Sequence, residues 1–199
     1  MTDSYYSHHY ISNSDLKSLR KMLDPKFEDP ADLKEIFEFG TLTHHLVLQP
    51  HLANHQHKDI GLATLMSQTV FKDDLCRQLF FMPDFRREYE FYRSDVYGVH
   101  ARCKADGDSK MLSLCFEFKG LSVTTDKQFE EAIDRFDYDQ AAAWYLDVSQ
   151  RRRYLIAGVS KKSPDRIFKR IVDREHVYYK RGRVKVEKAV KLLRETIEL

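Results

Sequence analysis

The stretch that most constrains this chain is DGDSKMLSLCFEFK, residues 106–119. Its second half alternates. Leu112, Leu114, Phe116 and Phe118 fall on one side of an extended strand, and Ser113, Cys115, Glu117 and Lys119 on the other, because successive strand side chains point to opposite faces. One face reads as core. The other reads as a surface bearing an acid and a lysine two positions apart, with a second acid, Asp106, further upstream. Two carboxylates can hold a divalent cation, and a lysine beside them can position the attacking water. Glu-x-Lys on a half-buried strand is also a common solvated pattern, so the rest of the chain has to decide. Geometry adds a condition. A tight turn at Asp108–Ser109 pairs Asp106 with Met111 and leaves Glu117 roughly 20 Å away, at about 3.3 Å per residue. A shared metal site therefore requires a wide connection centred near Lys110 to Leu112, or a bulge that shifts the register.

The elements on either side are legible from periodicity and punctuation. Leu16, Leu19 and Leu23 recur at helical spacing after a Ser12 or Ser14 cap, with Pro25 as the stop. A second helix is expected from an Asp29–Pro30 start, with Leu33, Ile36, Phe37, Leu42, Leu46 and Val47 as its buried face and Pro50 just past its end. Gly40 and His44 share a face of that helix. A mid-helix glycine costs about 1 kcal/mol relative to alanine and suggests close approach by a backbone or a ligand. The tract from His51 to His57 reads as a polar loop. Lys58 to Phe81 carries one further helical pattern. Strands are expected at 85–93, 96–105 and 111–119, helices after Thr125 and after Asp137, strands at 154–159 and 167–172, and a basic amphipathic helix at the C-terminus. This order gives an α/β (α+β) fold, a central mixed sheet flanked by helices. At 199 residues one domain is expected, with a helical part at about 12–82, a sheet core at about 84–172 and a last helix at about 184–198.

Composition excludes some classes. With 42% hydrophobic and 32% charged residues the chain reads as folded rather than disordered. No run approaches a membrane span, and MTDSYYSHHY lacks the apolar centre of a signal peptide. Cys76, Cys103 and Cys115 share no metal-binding spacing, and the last two sit in apolar strand patterns, so reduced core thiols in a cytoplasmic protein are expected. Thirty-three basic residues against 31 acidic ones leave the total near neutral. Any nucleic-acid footprint must come from local clusters such as Arg151, Arg152, Lys161, Lys162 and Lys169 in the second half.

Five stretches, SNSDL, FGTLTHHLVLQP, YGVHARCKADG, FEFKG and FDYDQAAAWYLD with the later GVSKKSPDRIFKR, occur in an order that spans most of the chain. Together they resemble the PD-(D/E)XK nuclease superfamily, and within it the RecE and lambda-exonuclease-like group of phage recombination exonucleases. The resemblance implies a restriction-endonuclease-like core whose catalysis rests on Asp106, Glu117 and Lys119. Mg²⁺ or Mn²⁺ would be held by His44, Asp106, Glu117 and the backbone carbonyl of Phe118. It implies hydrolysis of linear duplex DNA from the 5′ end, to leave 3′ single strands, with 5′-phosphate products. Partners would be double-stranded DNA ends, further copies of the chain and a single-strand annealing protein. Two departures stand out. The proline before the first acid is Ala105, which removes no ligand. The helical Gln-x-x-x-Tyr pair is broken: Gln140 is followed at that spacing by Trp144, and Tyr145 is preceded by Ala141. Either Gln140 with Trp144 serves, or Tyr145 keeps its place alone. The alternatives are a Cas4-like or repair nuclease with another DNA substrate, and a DNA-binding protein of the same fold that has lost turnover. The absence of a four-cysteine set opposes an iron–sulfur member.

Overall fold

The computed structural model describes residues 10–23 and 33–197. Pro25, the Asp29–Pro30 start and the side chains of Leu23, Leu33 and Ile197 lie outside what is described. Four helices come first: α1 (Asn13–Leu23), α2 (Leu33–Leu48), α3 (Ile60–Lys72) and α4 (Asp74–Phe80). Strands β1 (Arg86–Val96), β2 (Val99–Ser109) and β3 (Leu114–Leu121) follow, then α5 (Asp126–Arg135) and α6 (Tyr138–Ser149). The chain closes with β4 (Arg153–Ser160), β5 (Ile167–Val172) and α7 (Val177–Ile197). The five strands form one mixed sheet in the order β1-β2-β3-β4-β5. Only β3 and β4 run parallel, joined through α5 and α6. This is the α+β arrangement that the order of elements predicts.

Local chemistry fixes the helix starts. Ser12 and Asp15 form a capping box: the Asp15 carboxylate accepts from the Ser12 N–H (2.8 Å) and hydroxyl (2.7 Å), while the Ser12 hydroxyl accepts from the Asp15 N–H. Thr125 caps α5 by accepting from the Gln128 N–H. Asp73 does the same for α4 through the Cys76 N–H. That cap splits the pattern at 58–81, expected as one helix, into α3 and α4.

Both faces of the sheet are covered. Leu114, Phe116, Phe118, Leu155 and Ala157 pack against Phe39, Leu42, Val47, Met66, Val70 and Leu79 from α2, α3 and α4. Cys103, Ala105, Cys115, Tyr154 and Ile156 pack against Leu16, Phe129, Trp144, Val186 and Val190 from α1, α5, α6 and α7. The Glu117 face of β3 is therefore buried rather than solvated, because β3 is the middle strand of a two-sided sheet. All three cysteines are free and buried.

Three further expectations need correction. On α2, Ile36 and Phe37 are exposed, and Phe39 and Leu48 take the core positions instead. A Cβ on Gly40 would meet nothing within 4 Å, so no backbone approaches it. The last helix begins at Val177 and not near 184, so Tyr178 and Tyr179 are helical; Tyr179 is buried with its hydroxyl donating to Asp147 (2.8 Å). Among the described residues, no helix is long and apolar enough to cross a membrane.

Candidate active site

The hairpin between β2 and β3 has the wide connection that a shared site requires. Ser109 pairs with Leu114, leaving residues 110–113 as the loop, with Ser113 in the left-handed region (φ 48°). Asp84 holds this loop by accepting from the Ser109 hydroxyl (2.9 Å) and the Met111 N–H (2.7 Å). Gly107 pairs with Phe116, so the next step brings Asp106 opposite Glu117. The Phe118 N–H then donates to Asp106 Oδ2 at 2.7 Å.

The other side of β2 supplies an acid that the sequence reading missed. β1 and β2 are joined by a two-residue turn at Tyr97 (φ 53°) and Gly98 (φ 74°), the left-handed pair typical of tight hairpins. Val96 pairs with Val99, but the register slips by one residue between Arg93 and Val96. That bulge brings Glu88 level with Asp106, between the pairs Arg87–Gly107 and Tyr89–Ala105. Glu88 itself is left-handed (φ 53°), a costly conformation for a non-glycine residue inside a strand and one found where function demands it. Glu88, Asp106 and Glu117 thus form a row across three neighbouring strands.

His44, from α2, reaches the row from above. Its Nε2 lies 3.0 Å from Asp106 Oδ1 and 3.1 Å from Glu88 Oε1. One ring N–H cannot serve both oxygens, and it is aligned on Asp106, so Glu88 Oε1 is buried without a hydrogen bond. Glu117 Oε2 is also buried without one. Two lysines flank the row: Lys119 Nζ lies 2.5 Å from Glu117 Oε1, and Lys104 Nζ lies 3.3 Å from Glu88 Oε2. Oxygens from His44's two carboxylate neighbours and its ring nitrogen converge within 4.8 Å of one another. Buried carboxylate oxygens lacking donors, with one imidazole nitrogen, make a mainly hard donor set. The residues present fit a divalent cation.

The electrostatics point the same way. Burial pushes the Glu117 carboxyl up, and Asp106 adds to the push, bringing it to about 7 despite Lys119. Asp106 is buried too, but the His44 hydrogen bond, Lys119 and the Phe118 N–H outweigh burial and hold it below the usual range. Burial disfavours charge on His44, yet its hydrogen bond to Asp106 and the adjacent Glu88 carboxylate prevail and raise it to about 10. Lys119 is raised well above its ordinary value, since Glu117 and Asp106 together overcome its burial. The row therefore holds more negative charge than it can neutralise, and protons on His44 and Glu117 make up the difference.

No family model matches the chain, and no curated protein matches it. Among solved structures, a candidate exonuclease from Eubacterium rectale superposes with a TM-score of 0.70 at 16% identity, covering 98% of this chain and 85% of the other. The chain shares the fold of that structure. A phage-related exonuclease from Haemophilus somnus 129PT (TM-score 0.47, 14% identity, 98% and 97% coverage) and an alkaline exonuclease from Laribacter hongkongensis (0.45, 12%, 95% and 90%) also match, at levels too low to carry an argument.

Within this fold, the helix with the broken pair turns elsewhere. Gln140 is fully buried and its amide donates to Asn13 Oδ1 (3.1 Å). Trp144 donates to the Arg102 carbonyl and Tyr145 to the Lys104 carbonyl (3.0 Å), so both tie α6 to β2. The five basic residues also separate. Arg151 is committed to buried Asp108 through two bonds of 2.6 and 2.9 Å, and Lys169 is paired with Asp73. A guanidinium occupied in this way has fewer donors left for a phosphate. Lys161 lies over the Phe39 ring, 4.2 Å from its centroid. Arg152 and Lys162 are exposed.

Proposed function

We propose that this protein is a divalent-metal-dependent DNA exonuclease that hydrolyses phosphodiester bonds of linear duplex DNA from the 5′ end. The observation that carries the reading is the row Glu88–Asp106–Glu117, its last two acids buried and Glu88 half-buried, closed by His44 and bordered by a charged Lys119. Carboxylates set side by side with two oxygens left without donors are costly unless a cation joins them. His44, Glu88, Asp106 and Glu117, with the Phe118 carbonyl at the end of the row, would hold Mg²⁺ or Mn²⁺. That ion supplies a water of lowered pKa and offsets negative charge on the reacting phosphate. The chain's own groups do the rest. Asp106 is kept ionised by His44, Lys119 and the Phe118 N–H, and so stays available as a ligand. Lys119 keeps its proton, which makes it a hydrogen-bond donor and a fixed positive charge facing the phosphoryl oxygens, and not a general base. DNA ends, further copies of the chain and a single-strand annealing protein are the partners this reading expects.

Duplex DNA labelled at either 5′ or 3′ ends, as linear and covalently closed molecules, tests it in Mg²⁺, Mn²⁺ or EDTA. Metal-dependent release of mononucleotides from linear duplex, with 5′ label lost first, is expected. Cleavage of closed circles at the same rate would refute an end-dependent enzyme. Binding of DNA without hydrolysis in either metal would favour the turnover-deficient reading, which the diversion of Gln140 to Asn13 supports.

A further inference from the structure

The two oxygens of Glu88 face different neighbours. Oε1 lies 3.1 Å from His44 Nε2 and is buried without a hydrogen bond, while Oε2 lies 3.3 Å from Lys104 Nζ. Lys104 has a second acid within reach. Its partner across the β1–β2 ladder is Glu90, yet among the described residues its one ion pair is with Glu88. Glu90 Oε2 instead accepts from the Tyr92 hydroxyl at 2.9 Å. Both ends of the Lys104–Glu88 contact are restrained. Glu88 springs from its left-handed backbone position (φ 53°). The stretch of β2 that carries Lys104 is tied to α6 at two carbonyls, that of Arg102 by Trp144 (2.9 Å) and that of Lys104 by Tyr145 (3.0 Å). The Lys104 side chain is 30% exposed and that of Glu88 17%, so water and salt screen the pair only in part. A carboxylate held outward by one oxygen has the other left to give a cation.

We propose that Lys104 is a positioning residue that sets the metal preference of the row: by holding Glu88 Oε2 it limits Glu88 to one oxygen, which favours Mg²⁺ over Ca²⁺. Mg²⁺ demands a small octahedral shell. Ca²⁺ accepts a larger and looser one, into which carboxylates can enter with both oxygens, so the number and freedom of the ligand oxygens decide between the two ions. The proposal rests on the metal-dependent reading above and adds to it a residue that acts through Glu88. The competing account makes Lys104 only a counter-charge to the acids.

The test compares wild type with Lys104→Met, which removes hold and charge together, and with Lys104→Arg, which keeps both. Lys104→Gln repeats the loss of charge with a polar tip, in case Lys104→Met does not fold. Each protein is titrated with Mn²⁺, the free ion being followed by electron paramagnetic resonance, and the bound Mn²⁺ is then displaced by Mg²⁺ or by Ca²⁺. Lys104→Met and Lys104→Gln should raise the affinity for Ca²⁺ relative to Mg²⁺ by about tenfold or more, the usual reach of a residue that orients a metal ligand. Lys104→Arg should keep the wild-type ratio. In a Glu88→Gln background, Lys104→Met should leave the ratio within about twofold, because the group it acts through is gone. Loss of charge alone acts alike on two dications. Equal gains for Mg²⁺ and Ca²⁺, or the same change of ratio without Glu88, therefore overturn the proposal and leave the metal reading standing. A wild type that takes up no Mn²⁺ overturns the metal reading and this proposal with it.

Discussion

Replacing Glu117 with glutamine should stabilise the metal-free protein, even though Glu117 lies at the centre of the proposed chemistry. The carboxyl is raised from 4.5 to about 7 by burial and by Asp106, with the attraction of Lys119 already included. A raised acid contributes stability that is fully present below its unfolded pKa and lost as pH rises through its folded pKa. Below about pH 4.5 both states are protonated. Between there and about 7 the unfolded chain gives up a proton that the folded chain keeps, and above 7 the penalty is complete. At 1.36 kcal/mol per unit the loss is on the order of 3 kcal/mol, or roughly 6–12 °C of melting temperature for a domain of this size. Glutamine mimics the protonated acid. In EDTA, therefore, Glu117→Gln should melt well above wild type at pH 8 and close to it at pH 5, followed by calorimetry or circular dichroism. Saturating Mn²⁺ should raise wild type far more than the variant. A variant that is destabilised equally at both pH values would refute the reasoning, because it would mean that Lys119 alone keeps Glu117 comfortably ionised.

Four other outcomes follow from particular contacts. Lys119→Met should lower kcat by about a hundredfold or more, the usual worth of one positioned donor, with Mn²⁺ affinity by calorimetric titration little changed. Gly182→Ala should cost about 2 kcal/mol or more in denaturant unfolding, since the new Cβ would stand 1.9 Å from the Asp139 carbonyl oxygen where α7 crosses α6. Arg152→Glu with Lys162→Glu should weaken DNA binding and flatten its salt dependence without altering melting, whereas Arg151→Met should lower melting by exposing the charge on Asp108, buried between Arg86 and Arg151.

How far the sequence alone reaches can be seen in the acid row. Glu117 and Lys119 stand out because an alternating strand is regular, and Asp106 follows once the loop is known to be wide. His44 is reached only through the resemblance of its helix to the nuclease group, since the residue types alone do not single it out. Glu88 is not reached at all. In RREYEFYR it is one of two glutamates on the same alternation, and nothing in the residue types separates it from Glu90. A tight Tyr97–Gly98 turn carried down an unbroken ladder would set Tyr89 opposite Asp106; the one-residue slip between Arg93 and Val96 substitutes Glu88. Registers depend on bulges that short-range patterns do not encode. The partners of Arg151 escaped for a similar reason. Asp108 lies 43 positions away in sequence and is met only after the β3–α5–α6 excursion. The burial of Phe37 failed differently, since the periodicity of α2 allows two apolar stripes and only the packing partner chooses Phe39.

The account stands or falls on whether the row binds a divalent ion. An anomalous difference map from a crystal soaked in Mn²⁺ tests this directly. The account predicts a peak within coordinating distance of His44 Nε2 and Asp106 Oδ1, with Glu88 or Glu117 completing the set and the proton displaced from His44. A map with no peak between His44, Glu88, Asp106 and Glu117, from crystals of protein that still hydrolyses DNA in Mn²⁺, would contradict it.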